Sequence, residues 1–407
     1  MEHVLRVNLA WMLSVLTGRR TSDGDLYGSG CLTGDLQKLV LTQKDFSPAR
    51  NKRIKENIMP PNHSIIEGPY LHDILDQPRA LRETVTGLTD SRKLNDHTKG
   101  LYPESYQQIV LTGMGGSYLI LYPLYLTLIE LGFPVRMVEA SELIHFMPRL
   151  LGSRTLLIVA SQSGRSGEIV RLLNRNGERP TILGITNDAS SPLAKEADFV
   201  ALIKAGAEAS GACKTTTATL AALSWIGDFV STRDLHSTRD LLQGAAPAVE
   251  QYLKHWGDYV EALCAELRGI RHLFITGRGP SLPAAGIGGM LMKETAHFHS
   301  EGLGSAAFRH GPFEMLNEDC FVLVFAGDEA VEPLNRTLVE DVRRTGARAE
   351  LIGPAAEFPM FRLPQVHKQI RPIVEMIPLQ MVSLALAALA GREAGKFERI
   401  AKVTTDE

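Results

Sequence analysis

The sequence predicts an α/β protein built from two tandem, doubly wound, three-layer α/β/α domains of the flavodoxin-like kind, each with a parallel sheet. Short apolar runs that predict strands alternate with segments of helical periodicity, a pattern typical of parallel sheets covered by helices on both faces. One such strand, at 156–160, continues through a glycine-containing turn into an amphipathic helix. The same order of segments recurs in the second half of the chain.

The first half contains one helical segment ahead of its sheet and then a series of strands and helices. The segment at 70–85 has helical periodicity and is interrupted near Pro78, because proline is poorly tolerated inside a helix. The other expected elements are strands at 108–112, 134–139, 156–160, 180–186 and 197–202, and helices at 118–131, 141–147 and 215–231.

The second half repeats the first at a period of about 165 residues. Residues 272–281 resemble 109–117, 321–326 resemble 156–160, and 347–352 resemble 180–184; a helix is expected at 379–390. We therefore expect a first domain at 63–238, a helical linker at 239–269, a second domain at 270–394 and a C-terminal tail at 395–407. Residues 1–62 are unassigned. They fit either a loose, disordered extension or, as we favour, an over-long reading frame whose true start is near Met59.

The composition is that of a soluble globular protein. The 407 residues leave room for two or three domains, and 44% hydrophobic and 22% charged residues are ordinary values. The net charge is −3 and the basic residues do not cluster on one face, so no nucleic-acid partner is expected. Four widely spaced cysteines without a zinc pattern predict reduced thiols and a cytoplasmic location. No run of eighteen apolar residues is present, so no membrane partner is expected.

The turn after the strand at 156–160 has the composition of a phosphate site. Ser161, Gln162, Ser163 and Ser166 place three hydroxyls and one amide at the start of a helix. Free backbone N–H groups and the positive end of the helix dipole favour an anion there. A lone serine would be explained as an N-cap, so it is the density of uncharged donors that favours a phosphate monoester. The equivalent turn of the second half carries two acidic residues, which would repel phosphate, so one anion pocket is expected.

Glu294 and His310 are the candidates for proton transfer in the second half. Glu294 falls near the end of a helix that begins around Pro283, and His310 precedes a Gly-Pro pair in a loop. A carboxylate that moves a proton between adjacent carbons and a histidine that opens a sugar ring are the minimum for aldose–ketose isomerisation. The same two residues are equally compatible with a solvated helix carboxylate and a histidine that fixes a loop.

Two other kinds of site have weaker support. His297 and His299 beside Glu294 suggest a metal, but a His-x-His pair on a helix directs its rings about 200° apart, so no metal is expected. The run that begins at Gly113, with Glu139 at the end of the next strand, resembles a dinucleotide-binding turn. Its third glycine is absent, so no cofactor is expected and a nicotinamide-dependent oxidoreductase remains an alternative.

Five short motifs occur in the order found in the tandem sugar isomerase (SIS) domain proteins, and the chain resembles that family. The motifs are Gly113-Met-Gly-Gly-Ser117, Ser161-Gln-Ser-Gly-Arg-Ser166, Lys293-Glu294, Arg309-His-Gly-Pro312 and Ala401-Lys402. The likeness covers the chain from about Tyr70 to the C-terminus and is greatest to the isomerase half of glucosamine-fructose-6-phosphate aminotransferases. Each motif is short, but their shared order and spacing make the resemblance specific.

The resemblance implies a role for each residue of these motifs. Glu294 would carry the proton between the first two carbons, and His310 would assist ring opening from the neighbouring subunit of a homodimer. Lys402 would form a Schiff base with the open-chain ketose, a step that suits an amine on a closing tail; without the resemblance it is an ordinary surface lysine. The residues that would hold the sugar phosphate are Gly116, Ser117, Ser161, Gln162, Ser163 and Ser166.

The sequence also departs from that family. The first 60 residues do not match a glutaminase domain, so the chain alone is not expected to draw ammonia from glutamine. Residues 213–215 replace an expected Thr-Lys pair, and Leu291 stands where a second helix lysine would be. We therefore expect aldose–ketose isomerisation coupled to deamination or deglycation, or to ammonia-dependent amination, of an amino-sugar or ketose 6-phosphate. A non-catalytic sugar-phosphate sensor is the other alternative, although the first 60 residues show no helix-turn-helix pattern.

Overall fold

Two parallel β-sheets and the helices that cover them make up most of the chain that the structure describes. The computed structural model describes residues 63–91, 94, 105–209, 211–231, 233–399 and 401–405, which belong to one compact unit. The interpretation of residues 1–62 falls outside the described residues.

The two sheets have the same topology. The first has the order β2-β1-β3-β4-β5 and the second the order β7-β6-β8-β9, and neighbouring strands are parallel throughout. The second order equals the first without its fifth strand, so the repeat in the sequence is a repeat of topology. The strands are β1 (Gln108–Thr112), β2 (Val135–Met137), β3 (Thr155–Ala160), β4 (Thr181–Thr186), β5 (Phe199–Leu202), β6 (His272–Gly277), β7 (Ser300–Gly304), β8 (Cys320–Phe325) and β9 (Arg348–Ile352).

Helices connect the strands and fill the segment between the two sheets. Three consecutive helices, α9 to α11, occupy the region that the sequence predicts as a helical linker. The helices are α1 (Pro69–Leu75), α2 (Gln77–Thr89), α3 (Gly115–Leu119), α4 (Tyr122–Glu130), α5 (Ala140–His145), α6 (Gly167–Leu173), α7 (Pro192–Glu196), α8 (Lys214–Val230), α9 (Leu235–Gln243), α10 (Ala245–Leu253), α11 (Trp256–Glu266), α12 (Leu282–Ala296), α13 (Ser305–Phe308), α14 (Glu332–Arg344) and α15 (Arg371–Leu389).

Proline explains two of the differences from the predicted elements. The helix predicted at 118–131 is two helices, α3 and α4, and Pro123 lies in the first turn of α4. Proline is accepted there because first-turn N–H groups have no intrahelical partner. The helix predicted at 379–390 instead begins at Arg371 and contains Pro378 in its interior. Nearly every residue of α15 is buried, so packing outweighs the proline penalty.

The two domains share their inner helical layer. In β3, Leu156 and Ile158 belong to the largest hydrophobic cluster, whereas the alternate residues Leu157 and Val159 belong to an outer cluster. β8 alternates in the same way, as expected for a strand buried on both faces. The largest cluster also includes residues of α8, α12 and α15. The inner faces of both sheets therefore pack on one set of helices, which confirms the predicted α/β/α architecture.

The helix α15 is the most apolar of the inner helices. Among the described residues it is the one helix long and apolar enough to cross a membrane, but 94% of that stretch is buried inside the protein. Burial of this extent is what a core helix shows.

Candidate active site

A cleft opens at the point where the first sheet reverses its strand order. β1 and β3 are neighbours, β2 extends the sheet on one side and β4 on the other. The loops that leave the carboxyl ends of two such strands diverge and leave a crevice, the usual ligand position in doubly wound sheets. The turns at 113–117 and 161–166 leave β1 and β3 at this point, and they border a cleft of about 390 Å³.

The structure brings most of the predicted site residues to this cleft. Its walls come from the two turns, from α12 of the second domain and from the C-terminal tail. The predicted site residues that line it are Gly116, Ser117, Ser161, Gln162, Ser163, Ser166, Glu294 and Lys402. His310 does not line it: this residue is exposed just after α13.

Two glycines set the shape of the turns. A Cβ atom on Gly113 would lie 2.8 Å from the Ser117 carbonyl oxygen and 2.9 Å from that of Ala160, so only glycine lets the two turns approach this closely. Gly164 has a φ of +60°, and a Cβ atom there would meet the Ser191 side chain. Glycine adopts this left-handed conformation without strain. The turn can therefore present the side chains on either side of Gly164 to the cleft.

The hydroxyl groups of the second turn keep their O–H donors available. The Ser161 Oγ accepts a hydrogen bond from the Gly164 N–H at 3.1 Å, and the Ser163 Oγ accepts one from the Arg165 N–H at 3.2 Å. A hydroxyl that accepts from the backbone keeps its own O–H available to donate. Ser166 precedes α6 but makes no side-chain capping bond, so its hydroxyl is not used as an ordinary N-cap. These donors suit an anion with several oxygen atoms.

Glu294 supplies a carboxyl group from α12, the wall of the cleft that comes from the second domain. It lies two residues before the end of α12, among the apolar side chains of Ile287, Met290 and Leu291 that also line the cleft. Burial raises the pKa of Glu294 above its ordinary value, because the charged form loses hydration that no cation replaces. A carboxyl group with a raised pKa can both take and return a proton near neutral pH.

The C-terminal tail closes the third side of the cleft. The Gly395 N–H donates to the carbonyl oxygen of Thr295 at the end of α12, and the Gly167 N–H donates to that of Thr404, both at 3.1 Å. Between these two anchors the tail places Phe397 and Lys402 against the cleft. The lysine therefore reaches a site that is formed by residues far away in the sequence.

Lys402 is held by Glu208, which the sequence did not identify as a site residue. The Lys402 Nζ donates to the carbonyl oxygen of Glu208 and lies 3.3 Å from its Oε2. The Glu208 side chain is only 1% exposed. The signal available in the sequence was an acidic residue a few positions ahead of a helix start, a common N-terminal feature of helices.

Glu168 is the other acidic residue of the cleft that the sequence did not identify. It lies in the first turn of α6, is 8% exposed and lines the cleft. Its Oε2 is buried without a hydrogen-bond partner among the described residues. In the sequence it lies two residues after Ser166, and no pattern there marks an acidic residue as part of a phosphate site.

The histidines considered for a metal are not on a helix. α12 ends at Ala296, His297 has a left-handed backbone with φ 51° at the helix C-cap, and His299 stacks edge-on against His272 with ring centroids 5.7 Å apart. The expectation that both histidines lie on a helix was wrong, because α12 ends at Ala296, immediately before His297. Within the part of the chain that the structure describes, no group of three or more His, Cys, Asp or Glu residues is arranged to hold a metal ion.

Comparison with protein families and sequences points to sugar-phosphate enzymes. The family model named SIS domain matches residues 103–226 and 266–390. The chain is 28% identical, over 357 residues, to the glutamine–fructose-6-phosphate aminotransferase (isomerizing) of Thermococcus kodakarensis. The aligned region covers 83% of this chain and 58% of that enzyme. The Thermus thermophilus enzyme of the same name is 28% identical over 356 residues, with the same coverage. The chain thus spans about 58% of the length of these curated relatives.

Solved structures show the same fold. The C-terminal domain of glucosamine-fructose-6-phosphate aminotransferase from Francisella tularensis superposes with a TM-score of 0.72 at 22% identity, covering 81% of this chain and 98% of that one. Tagatose-6-phosphate ketose/aldose isomerase from Escherichia coli gives a TM-score of 0.69 at 18% identity, with coverages of 84% and 99%. Glucosamine-6-phosphate deaminase from Thermotoga maritima gives 0.67 at 17% identity, with coverages of 83% and 100%.

Proposed function

The chain belongs to the SIS domain family, and on that premise we propose that it is a phosphosugar-processing enzyme of sugar metabolism in the cytoplasm. It couples aldose–ketose isomerisation to deamination or deglycation of an amino-sugar 6-phosphate, or to the reverse amination with free ammonia. The observation that carries this proposal is that the uncharged, hydroxyl-rich turn at 161–166 and the carboxyl group of Glu294 line the same cleft. A sugar 6-phosphate has an anion at one end and exchangeable protons at the other.

The phosphate group binds in the turn that follows β3. The hydroxyls of Ser161, Ser163 and Ser166 and the amide of Gln162 donate to its oxygens, and Ser117 donates from the opposite turn. The absence of a cation from this set of donors suits a ligand that must leave again after each turnover. Hydrogen bonds to a charged group each contribute about 1.5–3 kcal/mol, so several of them suffice for binding.

Glu294 transfers the proton between the first two carbons of the open-chain sugar. A base at the opposite end of the cleft from the phosphate faces this part of an extended hexose chain. Removing a proton from one carbon and returning it to the next interconverts aldose and ketose, and the raised pKa of Glu294 favours both steps near neutral pH. The apolar neighbours of Glu294 keep water away from the intermediate.

Lys402 and His310 complete the proposed chemistry. Lys402 forms a Schiff base with the ketose carbonyl, which holds the open-chain form and releases or accepts the nitrogen substituent. His310 acts in ring opening, and since it is outside the cleft of its own chain, it serves the cleft of a second copy in a homodimer. Neither a metal ion nor a cofactor takes part in this scheme.

One assay separates the proposal from its alternatives. The protein is incubated with glucosamine 6-phosphate, or with a fructosamine 6-phosphate, while ammonia or free amine and the hexose 6-phosphate are measured. Turnover that disappears in Glu294→Gln, with sugar-phosphate binding retained, supports the proposal. Binding without turnover of any of these substrates would indicate a sensor. Enhanced fluorescence of added NADH would indicate the nicotinamide-dependent alternative.

A further inference from the structure

The Glu208 carboxylate accepts several hydrogen bonds in addition to its contact with Lys402. Its Oε1 accepts hydrogen bonds from the backbone N–H groups of Cys213 and Thr215, both at 3.0 Å, and its Oε2 accepts one from the Thr215 hydroxyl at 2.7 Å. These N–H groups lie at the start of α8, where four backbone donors have no partner within the helix. The Glu208 side chain therefore caps the 17-residue helix α8 from outside, since the N-cap residue Cys213 makes no side-chain capping bond, and the helix dipole favours a negative charge there.

The other contact of Glu208 is the amino group of Lys402. That group lies 3.3 Å from Oε2 and also donates to the Glu208 backbone carbonyl. Only 25% of the lysine side chain is exposed, and both residues line the cleft that contains Glu294. Two bonds from one residue fix the position of the amine, although that amine is on a short tail segment. An ammonium group is not a nucleophile, so the lysine must lose a proton before its nitrogen can attack a carbonyl carbon.

We infer that Glu208 positions Lys402 and carries the proton that the lysine must lose and return while it forms its covalent intermediate. This inference rests on the Schiff-base step of the proposed function. The Lys402 ammonium first gives one proton to Glu208 Oε2, and the neutral nitrogen attacks the ketose carbonyl carbon. One proton of the nitrogen moves to the former carbonyl oxygen, giving a neutral carbinolamine. Glu208 then returns its proton to that hydroxyl, which leaves as water while the C=N bond forms. Ammonium and carbonyl have become a protonated imine and water, and Glu208 is again a carboxylate.

Among the titratable groups near Glu208, Lys402 is the one with which it can exchange a proton. The Cys213 thiol lies 3.6 Å from Oε1, but burial raises its pKa well above the usual value, so it stays neutral. Tyr70, on α1, is also kept neutral because burial raises its pKa. Lys214, the next cation along the chain, pairs with two aspartates, at 2.9 Å from each.

Borohydride trapping of the Schiff base tests the inference. The full chain is incubated with fructose 6-phosphate and sodium borohydride, and the reduced adduct on the Lys402 peptide is followed by mass spectrometry. Glu208→Gln keeps the shape and an oxygen acceptor but cannot take a proton. We expect its trapping rate at pH 7 to fall at least tenfold while binding of fructose 6-phosphate changes less than twofold. Its trapping rate should also depend more steeply on pH than that of the wild type, because a base from solution must then take the proton that Glu208 takes in the wild type.

Two further variants separate a positioning role from loss of structure. Glu208→Asp retains a carboxylate and should restore part of the trapping rate. Asp228→Asn is the matched control: it removes a buried carboxylate near the other end of α8, which bonds to Thr238 and Gln369 and does not line the cleft. It should lower the melting temperature without changing trapping or its pH profile.

The outcomes distinguish this inference from the proposed function. If the wild type traps sugar on Lys402 and Glu208→Gln does so at the same rate, with the same pH profile, the role of Glu208 is refuted and the proposed function stands. If Glu208→Asp is no better than Glu208→Gln, the carboxylate is not the relay and the inference also fails. If the wild type binds the sugar phosphate but forms no adduct on Lys402, the Schiff-base step and the inference fail together.

Discussion

Glu375 gives a prediction whose size follows from the structure. It lies on α15, only 1% exposed, and its Oε1 accepts a hydrogen bond of 2.8 Å from the Ser281 hydroxyl. Its Oε2 is buried without a partner among the described residues. Burial raises the pKa of this carboxyl group from 4.5 to about 7, with the Ser281 bond and Arg371 opposing that rise. Between pH 4.5 and about 7 the folded protein therefore retains a proton that the unfolded chain has lost.

Replacing Glu375 by glutamine should make the protein more stable at high pH. Between the unfolded and folded pKa values the native state binds more protons, so the free energy of unfolding of the wild type falls as pH rises from about 4.5 through 7. Each pH unit between the two values contributes about 1.4 kcal/mol, so ionisation of Glu375 destabilises the fold by about 3 kcal/mol at pH 8. Glutamine keeps an oxygen that accepts from Ser281 and has no charge to bury. The gain in Glu375→Gln should therefore be present at pH 8 and absent at pH 4.5.

Thermal melts across pH measure this difference directly. With the unfolding entropy usual for a domain of this size, 3 kcal/mol corresponds to a shift of about 4 °C in melting temperature. Glu350→Gln provides the control, because Glu350 is a less buried carboxyl group with a raised pKa that is paired with Arg343. A shift for Glu375→Gln that is the same at pH 4.5 and at pH 8 would refute the reasoning, since a neutral carboxyl and an amide would then differ only by packing.

Three further predictions concern the cleft and the helix beside it. The double variant Ser161→Ala/Ser163→Ala should raise KM for a sugar phosphate tenfold or more, since each lost bond to a charged group is worth about 1.5–3 kcal/mol; an unchanged KM would remove the turn from the phosphate site. The acid limb of the kcat profile should lie above pH 4.5, because burial raises the pKa of Glu294 and activity is lost as pH falls through that value; a limb at the pKa of an exposed glutamate would contradict its role. Lys214→Met should lower the free energy of unfolding by about 3 kcal/mol, because it leaves the buried carboxylate of Asp73 without its cation; Lys214→Met/Asp73→Asn should recover part of that loss in urea denaturation, and purely additive effects would exclude coupling of the pair.

The sequence predicts most strands of this fold but not β7. The central strands β3 and β8 are nearly continuous apolar runs, as expected for strands buried on both faces. β7 has the sequence Ser-Glu-Gly-Leu-Gly, whose residues have little strand propensity. Gly302 explains how it forms: a Cβ atom there would collide with the backbone of Ala285 on α12. The strand forms because α12, the helix that directly precedes it in the chain, packs on it, and the residues of the strand alone do not contain that information.

Local sequence likewise predicts some residues of the candidate site and not others. The serine-rich turn could be recognised from the sequence because its donors are consecutive and lie where a strand meets a helix. Glu208 could not, because its contact with Lys402 joins residues 194 positions apart. The proposed role of Lys402 came from family resemblance, and no local pattern distinguishes it from the other lysines of the chain. Contacts between distant segments are thus what the sequence leaves out.

Duplication explains why one cleft contains groups from both domains. The second sheet has its own switch point between β6 and β8, but it is occupied by protein: Arg278 donates to Asn335 at 3.1 Å, and Asn335 donates to the Ala326 carbonyl at 3.1 Å. The helix after β6 has a different use. α12 packs on α3 of the first domain, with Gly286 against Leu119. This contact brings Glu294 to the first switch point, so the inner layer shared by the two domains is also what assembles the site.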